Sequence, residues 1–497
     1  MKKINFEPDV PAQIRAIPQH VALQANENPP VLRTHDRFCE RIDDVDFHPA
    51  WHNLMRTSIE HGLHNLPWAE PAEGAHSARA AMMMLMSQIE QGHTCPISMT
   101  YSAVPALRKE ANLANAWEPR LRSLIYDPRS RPVKDKLGAL VGMAMTEKQG
   151  GSDVRANLTT AERDGEGYRI TGHKWFCSAP MCDAFLVLAQ AQGGLTCFLL
   201  PRWHEGERNG FHLQRLKAKL GNRSNASSEV EFDRAWAWRV GEEGRGVPTI
   251  IEMVQHTRLD CVIASSAIMR QALVQAIHHA RGRSAFGKLL VDQTLMQAVL
   301  TDLALESEAA TLLMMRLARA FDHEREFARL TTAVAKYWIC KRAPAMVNEC
   351  LECLGGNGYV EESLMPRLYR EAPLNSIWEG SGNVICLDIQ RTIQKSPESL
   401  EALLSELDLT RGQNETLDAL VDSIGMQVTF TQQGEARRLA ENLALALQAS
   451  LMIQHSPEYV AQAFCATRLE GHGGKTYGIL PPGVPRLKII DRAWTGV

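Results

Sequence analysis

The stretch Ile377-Trp378-Glu379-Gly380-Ser381-Gly382-Asn383 places one carboxylate beside a bulky aromatic residue and ahead of a run of small turn residues. The surrounding sequence is apolar and helical in composition. A carboxylate beside an indole is costly to keep charged where water is excluded, so its pKa rises toward the range that a general base needs. We therefore predict that Glu379 is a catalytic base. A structural carboxylate on a turn remains the alternative at this point.

The composition is that of a folded protein with several packed units. The chain has 497 residues, of which 45% are hydrophobic and 22% charged, and its formal net charge is -3. This length favours two to four units over a single core, and the small net charge does not indicate a polyanion partner. No apolar run has the length of a transmembrane helix, and residues 1–9 lack the apolar core of a signal peptide. We expect a cytoplasmic protein that does not contact a membrane.

The cysteines do not form a disulfide pattern. Eleven of them are scattered along the chain, which is too sparse for a disulfide framework. Cys350 and Cys353 have the C-x2-C spacing of a redox or zinc half-site, but no second pair with ligand spacing accompanies them. We therefore predict buried thiols, no metal site and a reducing compartment.

The composition and hydrophobic pattern of the sequence change three times along the chain, which predicts four segments. Residues 1–137 are rich in helix formers broken by proline, which predicts a helical N-terminal domain. Short apolar runs separated by Gly, Asp and Pro turns predict a small β-barrel or sandwich over residues 138–246. Apolar residues at helical spacing predict a helical bundle over residues 247–394. Residues 395–497 are helix-prone up to about residue 470, and a Gly/Pro-rich tail follows.

Four more segments combine glycines with polar, basic or aromatic residues. A Gly-rich turn after a strand can present backbone N–H groups and hydroxyls to a polar ring edge or a phosphate. Taken alone, such a turn is weak evidence, and an aromatic pair in a β-domain is more often part of the core. The segments are Met145-Thr146-Glu147-Lys148-Gln149-Gly150-Gly151-Ser152-Asp153-Val154, Gly172-His173-Lys174-Trp175-Phe176-Cys177-Ser178, Arg281-Gly282-Arg283-Ser284-Ala285-Phe286-Gly287-Lys288-Leu289-Leu290 and Leu354-Gly355-Gly356-Asn357-Gly358-Tyr359.

With the stretch around Glu379, these segments resemble the motifs of the acyl-CoA dehydrogenase flavoprotein family from about residue 90 to about residue 393. The resemblance implies an α+β multidomain fold with an N-terminal helical domain, a middle β-barrel and a C-terminal four-helix bundle. Here an additional C-terminal helical segment follows. It also implies FAD as the cofactor and α,β-dehydrogenation of an acyl thioester, in which a carboxylate removes the α-proton and the β-hydrogen leaves as hydride to flavin N5.

The resemblance assigns roles to individual residues of this sequence. Glu379 takes the position of the base, and Ser152, Arg258 and Trp378 take positions that meet the substrate. Phe176 and Ser178 stand where the family has a Trp and a Thr against the isoalloxazine. The positions implied to bind the cofactor are Met145, Thr146, Gly151, Ser152, Phe176, Ser178, Arg283, Phe286, Gly356, Trp378, Ser381 and Asn383.

The Arg283 segment implies an oligomer. In the family, the Arg and Phe of this loop come from a neighbouring subunit and meet the FAD pyrophosphate and adenine, and the Arg fork suits phosphate. The resemblance therefore implies a homotetramer built as a dimer of dimers. It also implies two further partners, namely an acyl-CoA or small thioester substrate and an electron-transfer acceptor.

Departures from the family pattern bear on the base and on the substrate. Some members place the base just before an Arg on a different helix, but the aligned position here is Thr257, which cannot serve. Trp378 replaces a Tyr and adds bulk where an acyl chain would lie. Ser224-Asn225-Ala226-Ser227 replaces an R-x-S-x-T pattern common in fatty-acid enzymes. A short or branched acyl group therefore fits better than a long one.

Most of the chain, up to about residue 395, is similar to the AidB branch of the family, which comprises flavoproteins of the adaptive response to DNA alkylation with weak dehydrogenase activity and duplex DNA binding. The similarity is carried by Leu220-Gly221-Asn222-Arg223-Ser224-Asn225-Ala226-Ser227, Asn26-Glu27-Asn28-Pro29-Pro30 and Phe47-His48-Pro49-Ala50-Trp51-His52. A link to the alkylation-damage response follows from it. The alternative function is a flavin-containing protein that protects DNA, with vestigial catalysis.

The charge of the C-terminal segment weakens the DNA-binding alternative. Affinity for duplex DNA comes chiefly from Lys and Arg at phosphates. Residues 395–497 contain nine Lys or Arg against twelve Asp or Glu, so the segment is net negative by three. The adjacent Arg437 and Arg438 form the one local basic cluster, which a solvated helix face explains about as well.

Overall fold

In the described residues, mainly helical regions precede and follow a β-sheet in the sequence. The computed structural model describes residue 14, residues 16–430 and residues 432–494. Residues 1–9, where the sequence predicts no signal peptide, lie outside the described residues. The chain divides into two units, Met1–Thr257 and Arg258–Val497. The four segment boundaries given above stay predictions.

The first unit begins with helices whose apolar faces are buried. Helix α2 has Pro49 in its first turn, where its missing N–H costs nothing, and the His48 side chain accepts from the Ala50 N–H at 3.2 Å. In the helix Ala75–Ile89, the side chains of Met82, Met83 and Met86 are buried and fill the core. The helices are α1 (Gln19–Glu27), α2 (Pro49–Glu60), α3 (Leu66–Ala69), α4 (Ala75–Ile89), α5 (Thr94–Leu107) and α6 (Ala111–Leu121).

A hairpin interrupts the helical N-terminal region, which the sequence analysis did not predict. Strands β1 (Val31–His35) and β2 (Arg41–Asp46) pair antiparallel. The Asp36 carboxylate closes the turn, because it accepts from the backbone N–H groups of Phe38 at 2.8 Å and Glu40 at 3.0 Å. Composition over 137 residues does not reveal a turn that one side chain stabilises locally.

The middle of the first unit is a seven-stranded sheet whose pairing closes on itself. Strand β7 pairs with both β6 and β11, so β11, β5, β4, β6 and β7 form a ring. This confirms the predicted β-barrel. The seven strands are β3 (Val141–Ala144), β4 (Thr160–Asp164), β5 (Gly167–Ser178), β6 (Ala184–Ala191), β7 (Gly194–Pro201), β10 (Phe211–Leu216) and β11 (Ser227–Val240), and β8 (Trp203–His204) and β9 (Glu207–Arg208) form a separate hairpin.

Aromatic packing fills the sheet's interior. Phe185 on β6 stacks on Phe211 on β10 with ring centroids 4.9 Å apart, and both side chains are buried. Gly142 on β3 lies directly against the Phe185 ring, since a Cβ there would come within 2.6 Å of it. The glycine therefore lets two neighbouring strands approach around a large ring.

The second unit is helical apart from one two-stranded hairpin. Leu273, Ala276, Ile277 and Ala280 share one face of α7 and are fully buried, which confirms the predicted core face. The elements are α7 (Gly246–Gly282), which contains the boundary between the units, β12 (Ser284–Ala285), β13 (Lys288–Leu289), α8 (Thr294–His323), α9 (Arg325–Cys353), α10 (Gly356–Tyr359), α11 (Met365–Glu371) and α12 (Gly382–Lys395).

The C-terminal segment is helical and packs on the bundle. Helices α13 (Pro397–Asp408), α14 (Glu415–Phe430), α15 (Ala436–His455), α16 (Glu458–Arg468) and α17 (Arg486–Ala493) follow in order. Helix α15 packs on α8, α9 and α12. The sequence analysis missed α17 inside the Gly/Pro-rich tail. This short helix forms because Ile489 and Ile490 bury against α8, which is a tertiary effect.

The pair of cysteines with C-x2-C spacing lies in the interior of the second unit. Cys350 and Cys353 lie on α9 and are buried free thiols, as predicted, and burial raises the pKa of Cys353 to about 12. In the described part of the chain, no group of three or more His, Cys, Asp or Glu could hold a metal ion. Across residues 16–430 and 432–494, no helix combines the length and apolarity needed to cross a membrane.

A buried charge network joins the C-terminal segment to the bundle. Glu306 on α8 accepts from Arg342 on α9 at 2.9 and 3.0 Å and from Arg468 on α16 at 3.0 Å. Arg342 also donates to the Tyr477 hydroxyl at 2.9 Å, and Arg468 to Asp302 at 2.5 Å. Burial opposes the ionisation of Glu306, but the two guanidinium groups outweigh burial and lower its pKa from 4.5 to about 2.

We predict that Glu306→Gln destabilises the protein near neutral pH and much less in acid. A carboxyl whose folded pKa is depressed contributes stability above its unfolded pKa, and this contribution is lost as the pH falls toward the folded value. The loss should be about 3 kcal/mol at about pH 7 and should shrink between about pH 5 and pH 2. Urea unfolding over this range measures it. Glu401→Gln, the same change at an exposed position of α13, is the control, and an equal loss at all pH values would contradict the prediction.

Candidate active site

Glu379 lies on a turn that puts its backbone in the left-handed region. Its φ is 59°, and that of the following Gly380 is 110°. The turn connects a short 3-10 helix, Leu374–Ser376, to α12. A non-glycine residue in this region costs roughly 1–2 kcal/mol and persists only when its surroundings hold it there. The structure must therefore contain the groups that hold this turn.

Two buried cations hold the backbone of the turn. Lys336 on α9 donates from Nζ to the carbonyl oxygens of Trp378, at 2.9 Å, and of Gly380. Arg258 on α7 donates from Nε to the carbonyl oxygen of Glu379 at 3.0 Å. Lys336 is 1% exposed and Arg258 is 5% exposed, so water competes little for these bonds. Three consecutive carbonyl groups around Glu379 are thus fixed by charge-assisted hydrogen bonds.

Arg258 is itself held in place by an ion pair. Its Nη1 lies 2.6 Å from Asp388 Oδ2 on α12, and Arg329 on α9 lies 3.0 Å from the other oxygen of that carboxylate. Burial of Asp388 would raise its pKa, but the two guanidinium groups keep that pKa below its ordinary value. The sequence analysis predicted a substrate-binding role for Arg258. The structure shows its guanidinium engaged with Glu379 and Asp388, and the substrate role stays a prediction.

The Trp378 indole is fixed by a buried polar pair. Its Nε1 donates to Asn375 Oδ1 at 2.8 Å, and Asn375 Nδ2 donates to Ser265 Oγ on α7 at 3.1 Å. Asn375 is 4% exposed and Ser265 is fully buried. The ring beside Glu379 therefore has one preferred orientation. Asn375, Ser265, Lys336 and Asp388 were not predicted from the sequence: Ser265 and Lys336 lie on other helices, and no residue pattern assigns a role to Asn375 or Asp388.

The remaining predicted residues of the turn lie at the start of α12. Ser381 is the N-cap residue of α12, its side chain makes no capping hydrogen bond, and it is exposed. Asn383 Oδ1 accepts two hydrogen bonds from Arg437 on α15, at 2.7 and 2.9 Å. The C-terminal segment therefore reaches a residue that the sequence analysis predicts to bind the cofactor. Arg437 also belongs to the basic cluster considered above for DNA.

Two predicted segments of the first unit are joined to each other. The loop that begins at Met145 is tied to β5, because the Trp175 N–H donates to the Thr146 carbonyl oxygen at 2.8 Å. Gly151 packs so tightly on Thr146 that a Cβ there would lie 2.3 Å from Oγ1. Met145, Thr146, Gly151 and Ser152 are thus brought beside the strand that carries Phe176 and Ser178.

A buried ion pair supports this loop. Glu147 and Lys174 are both fully buried, and Glu147 Oε1 lies 2.8 Å from Lys174 Nζ. The other carboxylate oxygen accepts from the Leu158 N–H at 2.7 Å. Burial opposes the charge on Glu147, but Lys174 and the surrounding donors lower its pKa to about 2. Because the two buried charges neutralise each other, the ion pair fixes the loop that carries Glu147 to β5, which carries Lys174.

The β5 surface beside the loop carries exposed aromatic area. Phe176 is 50% exposed, and Ser178 is partly exposed at the end of the strand. Lys217 Nζ lies 3.4 Å from the centroid of the Trp175 ring and 4.8 Å from that of Phe176. An aromatic face next to backbone donors and hydroxyls is suited to a flat heteroaromatic ring.

Ser224, part of the segment that departs from the fatty-acid enzymes, is structural. It is buried and donates to Glu90 Oε1 at 2.7 Å. Glu90 also contacts His93 Nδ1 at 2.7 Å, and its pKa is lowered to about 2, because these partners outweigh burial. Gly92 must be glycine, since a Cβ there would lie 1.9 Å from Ser224 Oγ. Ser224 therefore links this segment, through Glu90, to the loop that precedes α5.

Arg283 and Phe286 lie on the β12–β13 hairpin, apart from the Glu379 turn in the sequence. Phe286 is 100% exposed and has a φ of 52°. Arg283 is exposed, whereas nearby Arg281 pairs with Asp491 of α17. Gly356 is exposed at the start of α10, with open space where a Cβ would lie.

Comparison with protein families gives three matches along the chain. The N-terminal domain of the adaptive response protein AidB matches residues 15–128. The middle domain of acyl-CoA dehydrogenase matches residues 142–235, and its C-terminal domain matches residues 244–394. The three matches cover most of the chain in one order.

Individual proteins and a solved structure agree with these matches. The AidB protein of Escherichia coli (strain K12) is 47% identical over 459 residues, which are 90% of this chain and 85% of that protein. Acyl-CoA dehydrogenase family member 11 of Caenorhabditis elegans is 32% identical over 80% of this chain and 68% of that protein. The crystal structure of C. elegans ACDH-11 in complex with C11-CoA has a TM-score of 0.82 and 27% identity, and 94% of each chain is covered. The chain therefore belongs to the AidB branch of the acyl-CoA dehydrogenase family of FAD-dependent oxidoreductases.

Proposed function

We propose that this protein catalyses the α,β-dehydrogenation of a short or branched acyl thioester with Glu379 as the base. The observation that carries the proposal is the left-handed turn of Glu379, whose flanking carbonyl groups are held by Lys336 and Arg258. Backbone strain that two buried cations stabilise is costly to maintain, and strain of this kind concentrates at functional sites. The support therefore favours the catalytic interpretation of Glu379 over the structural one.

The residues predicted to hold FAD have the chemistry that this cofactor requires. The loop at Gly151 is close-packed on Thr146 and leaves backbone and hydroxyl groups beside the exposed Phe176 ring, which suits the flavin ring. Arg283 and the fully exposed Phe286 offer a guanidinium for a pyrophosphate and a ring for an adenine. We assign the remaining contacts to Met145, Ser152, Ser178, Gly356, Trp378, Ser381 and Asn383.

Bound FAD would supply the acceptor for the hydride. Glu379 would take the proton from the α-carbon of the acyl group, while the hydrogen on the β-carbon leaves with its electron pair and a carbon–carbon double bond forms. Arg258 and Lys336 keep the turn of Glu379 in place, so the carboxylate needs little rearrangement to reach the proton.

The acyl-CoA substrate class is supported by the ACDH-11 structure, which contains C11-CoA and covers 94% of this chain. The size of the acyl group is argued from Trp378. Its ring donates to Asn375, which Ser265 holds in turn, so the ring cannot turn aside without breaking its hydrogen bond to Asn375. We therefore expect it to limit the acyl chain, and Ser152 and Arg258 to contact the thioester or CoA.

A homotetramer and an electron-transfer acceptor complete the proposal. Phe286, a fully exposed ring on a hairpin tip, is unfavourable in water and fits the surface of a second copy that would share the cofactor. The eleven free cysteines favour a reducing compartment such as the cytoplasm. A link to the alkylation-damage response rests on the relation to AidB alone.

No observation favours the DNA-protection alternative over the enzyme. Several of the basic residues of the C-terminal segment are engaged within the second unit: Arg411 with Asp422 at 2.9 Å, Arg437 with Asn383, Arg468 with Asp302 and Arg492 with Glu308 at 2.9 Å. A side chain that is paired internally must give up that partner before it binds a phosphate. The pairing of these four arginines therefore weakens the DNA-protection alternative.

We predict that Glu379→Gln retains FAD but is not reduced by substrate. The amide keeps the size of the side chain but cannot accept the α-proton, so the rate of flavin reduction should fall by at least about 10²–10⁴-fold. Anaerobic mixing with a panel of short and branched acyl-CoAs, followed by flavin absorbance, measures this rate. Glu362→Gln, at an exposed position before α11, is the matched control. Unchanged reduction in Glu379→Gln would contradict the assignment of the base.

We predict that Trp378→Phe shifts the preference toward longer acyl chains. A smaller ring that lacks the Nε1 donor leaves space beside Glu379 and releases the link to Asn375. The ratio of kcat/KM for octanoyl-CoA to that for isobutyryl-CoA should rise by about 10-fold, which is typical of a change of one or two methylene groups in a pocket. The control is Trp338→Phe, because the Trp338 indole also donates a hydrogen bond, to Gln448 on α15 at 2.9 Å. An equal rise in both variants would show that Trp378 does not select the chain length.

A further inference from the structure

Lys336 is a buried lysine whose ammonium group serves the backbone of the Glu379 turn. It lies in the middle of α9 and is 1% exposed. Its Nζ donates to the carbonyl oxygens of Trp378 and Gly380, which lie 42 and 44 residues away in the sequence. Placing an ammonium in the interior costs several kcal/mol. A methionine of similar length would fill the same space without that cost, so packing alone does not explain the lysine.

The hydrogen bonds of Lys336 and Arg258 fix the peptide planes on either side of Glu379. The carbonyl of Trp378 belongs to the peptide plane before Glu379, and the carbonyl of Glu379 belongs to the plane after it. Lys336 holds the first plane and Arg258 holds the second. The relative orientation of the two planes defines φ and ψ of Glu379, and therefore the direction of its Cα–Cβ bond. The second bond of Lys336, to Gly380, fixes the next plane as well.

The two cations are not equivalent. Arg258 is braced by Asp388, which Arg329 also contacts, so the plane after Glu379 is attached to a charge network. The described hydrogen bonds to the Trp378 carbonyl come from Lys336 alone. Without Lys336, the Trp378 carbonyl would lose its charged donor, and the strain of the turn would be opposed less strongly. A residue with φ of 59° lowers its energy by moving to negative φ, and this rotation would swing the carboxylate away.

We propose that Lys336 is a positioning residue that holds Glu379 in the left-handed conformation required for proton abstraction. The inference rests on the proposed role of Glu379 as the base. Lys336 does not contact the substrate, and it acts through the direction of the Glu379 side chain. Its loss should therefore slow the chemical step and leave the binding of FAD and thioester nearly intact.

Lys336→Met is the direct test, because it keeps the length of the side chain and removes the donor and the charge. In the FAD-loaded enzyme, the rate constant of flavin reduction by the best short or branched acyl-CoA should fall by about 10²-fold, as expected for a misplacement of about 1 Å. The dissociation constant of that thioester should change by less than about threefold. Both are measured well below the unfolding temperature of the variant. Lys395→Met, the same change at the exposed end of α12, should leave both within about twofold.

Lys336→Gln covers the case in which Lys336→Met does not fold. It keeps N–H donors on a shorter, neutral side chain, and a loss of at least about 10-fold in the reduction rate supports the proposal. A Lys336 variant that is less stable but reduces its flavin at the wild-type rate would show a purely structural role and overturn it. So would a variant that loses thioester affinity by the same factor as rate. A wild-type enzyme that no thioester reduces, or an active Glu379→Gln, would instead refute the proposed function, and the positioning role with it.

Discussion

The second unit depends on one costly local conformation, the left-handed backbone of Glu379. A free peptide would leave that conformation, so the surrounding helices must contribute donors at fixed positions. They do so with Lys336 from α9 and Arg258 from α7. Because both cations are buried, each bond is strong, and each cation in turn requires compensation.

The buried charge of Arg258 is compensated by an ion pair, and further polar contacts connect the Glu379 turn to the C-terminal segment. Arg258 is neutralised by Asp388 at the centre of α12, the helix that begins three residues after Glu379. The same helix is tied to the C-terminal segment through Asn383 and Arg437. That segment is tied again to α8 and α9 through Glu306. The Glu379 turn is thus connected, by successive polar contacts, to helices that follow it in the chain.

The sequence predicts those parts of the structure that are determined by residues close together in the chain. The Glu379 stretch, the buried face of α7 and most strands of the barrel are of this kind. The hairpin β1–β2 depends on the Asp36 side chain, and α17 depends on its packing against α8, so composition could not reveal them. Lys336 is 42 residues from the carbonyl that it holds. A lone cation in an apolar helical run was the one available sign.

The C-terminal segment shows how the fold restricts the choice between enzyme and DNA-binding protein. Electrostatic attraction to a duplex requires cations that face solvent and lack nearby anions. Here Arg468 is part of a buried network, and Arg437 bonds Asn383 at the start of α12. The segment's arginines thus contribute to the bundle that holds Glu379, and moving them to a phosphate would weaken that bundle. Since one residue cannot fully serve both purposes, their position in the folded chain favours the interpretation of the segment as a support for the catalytic unit.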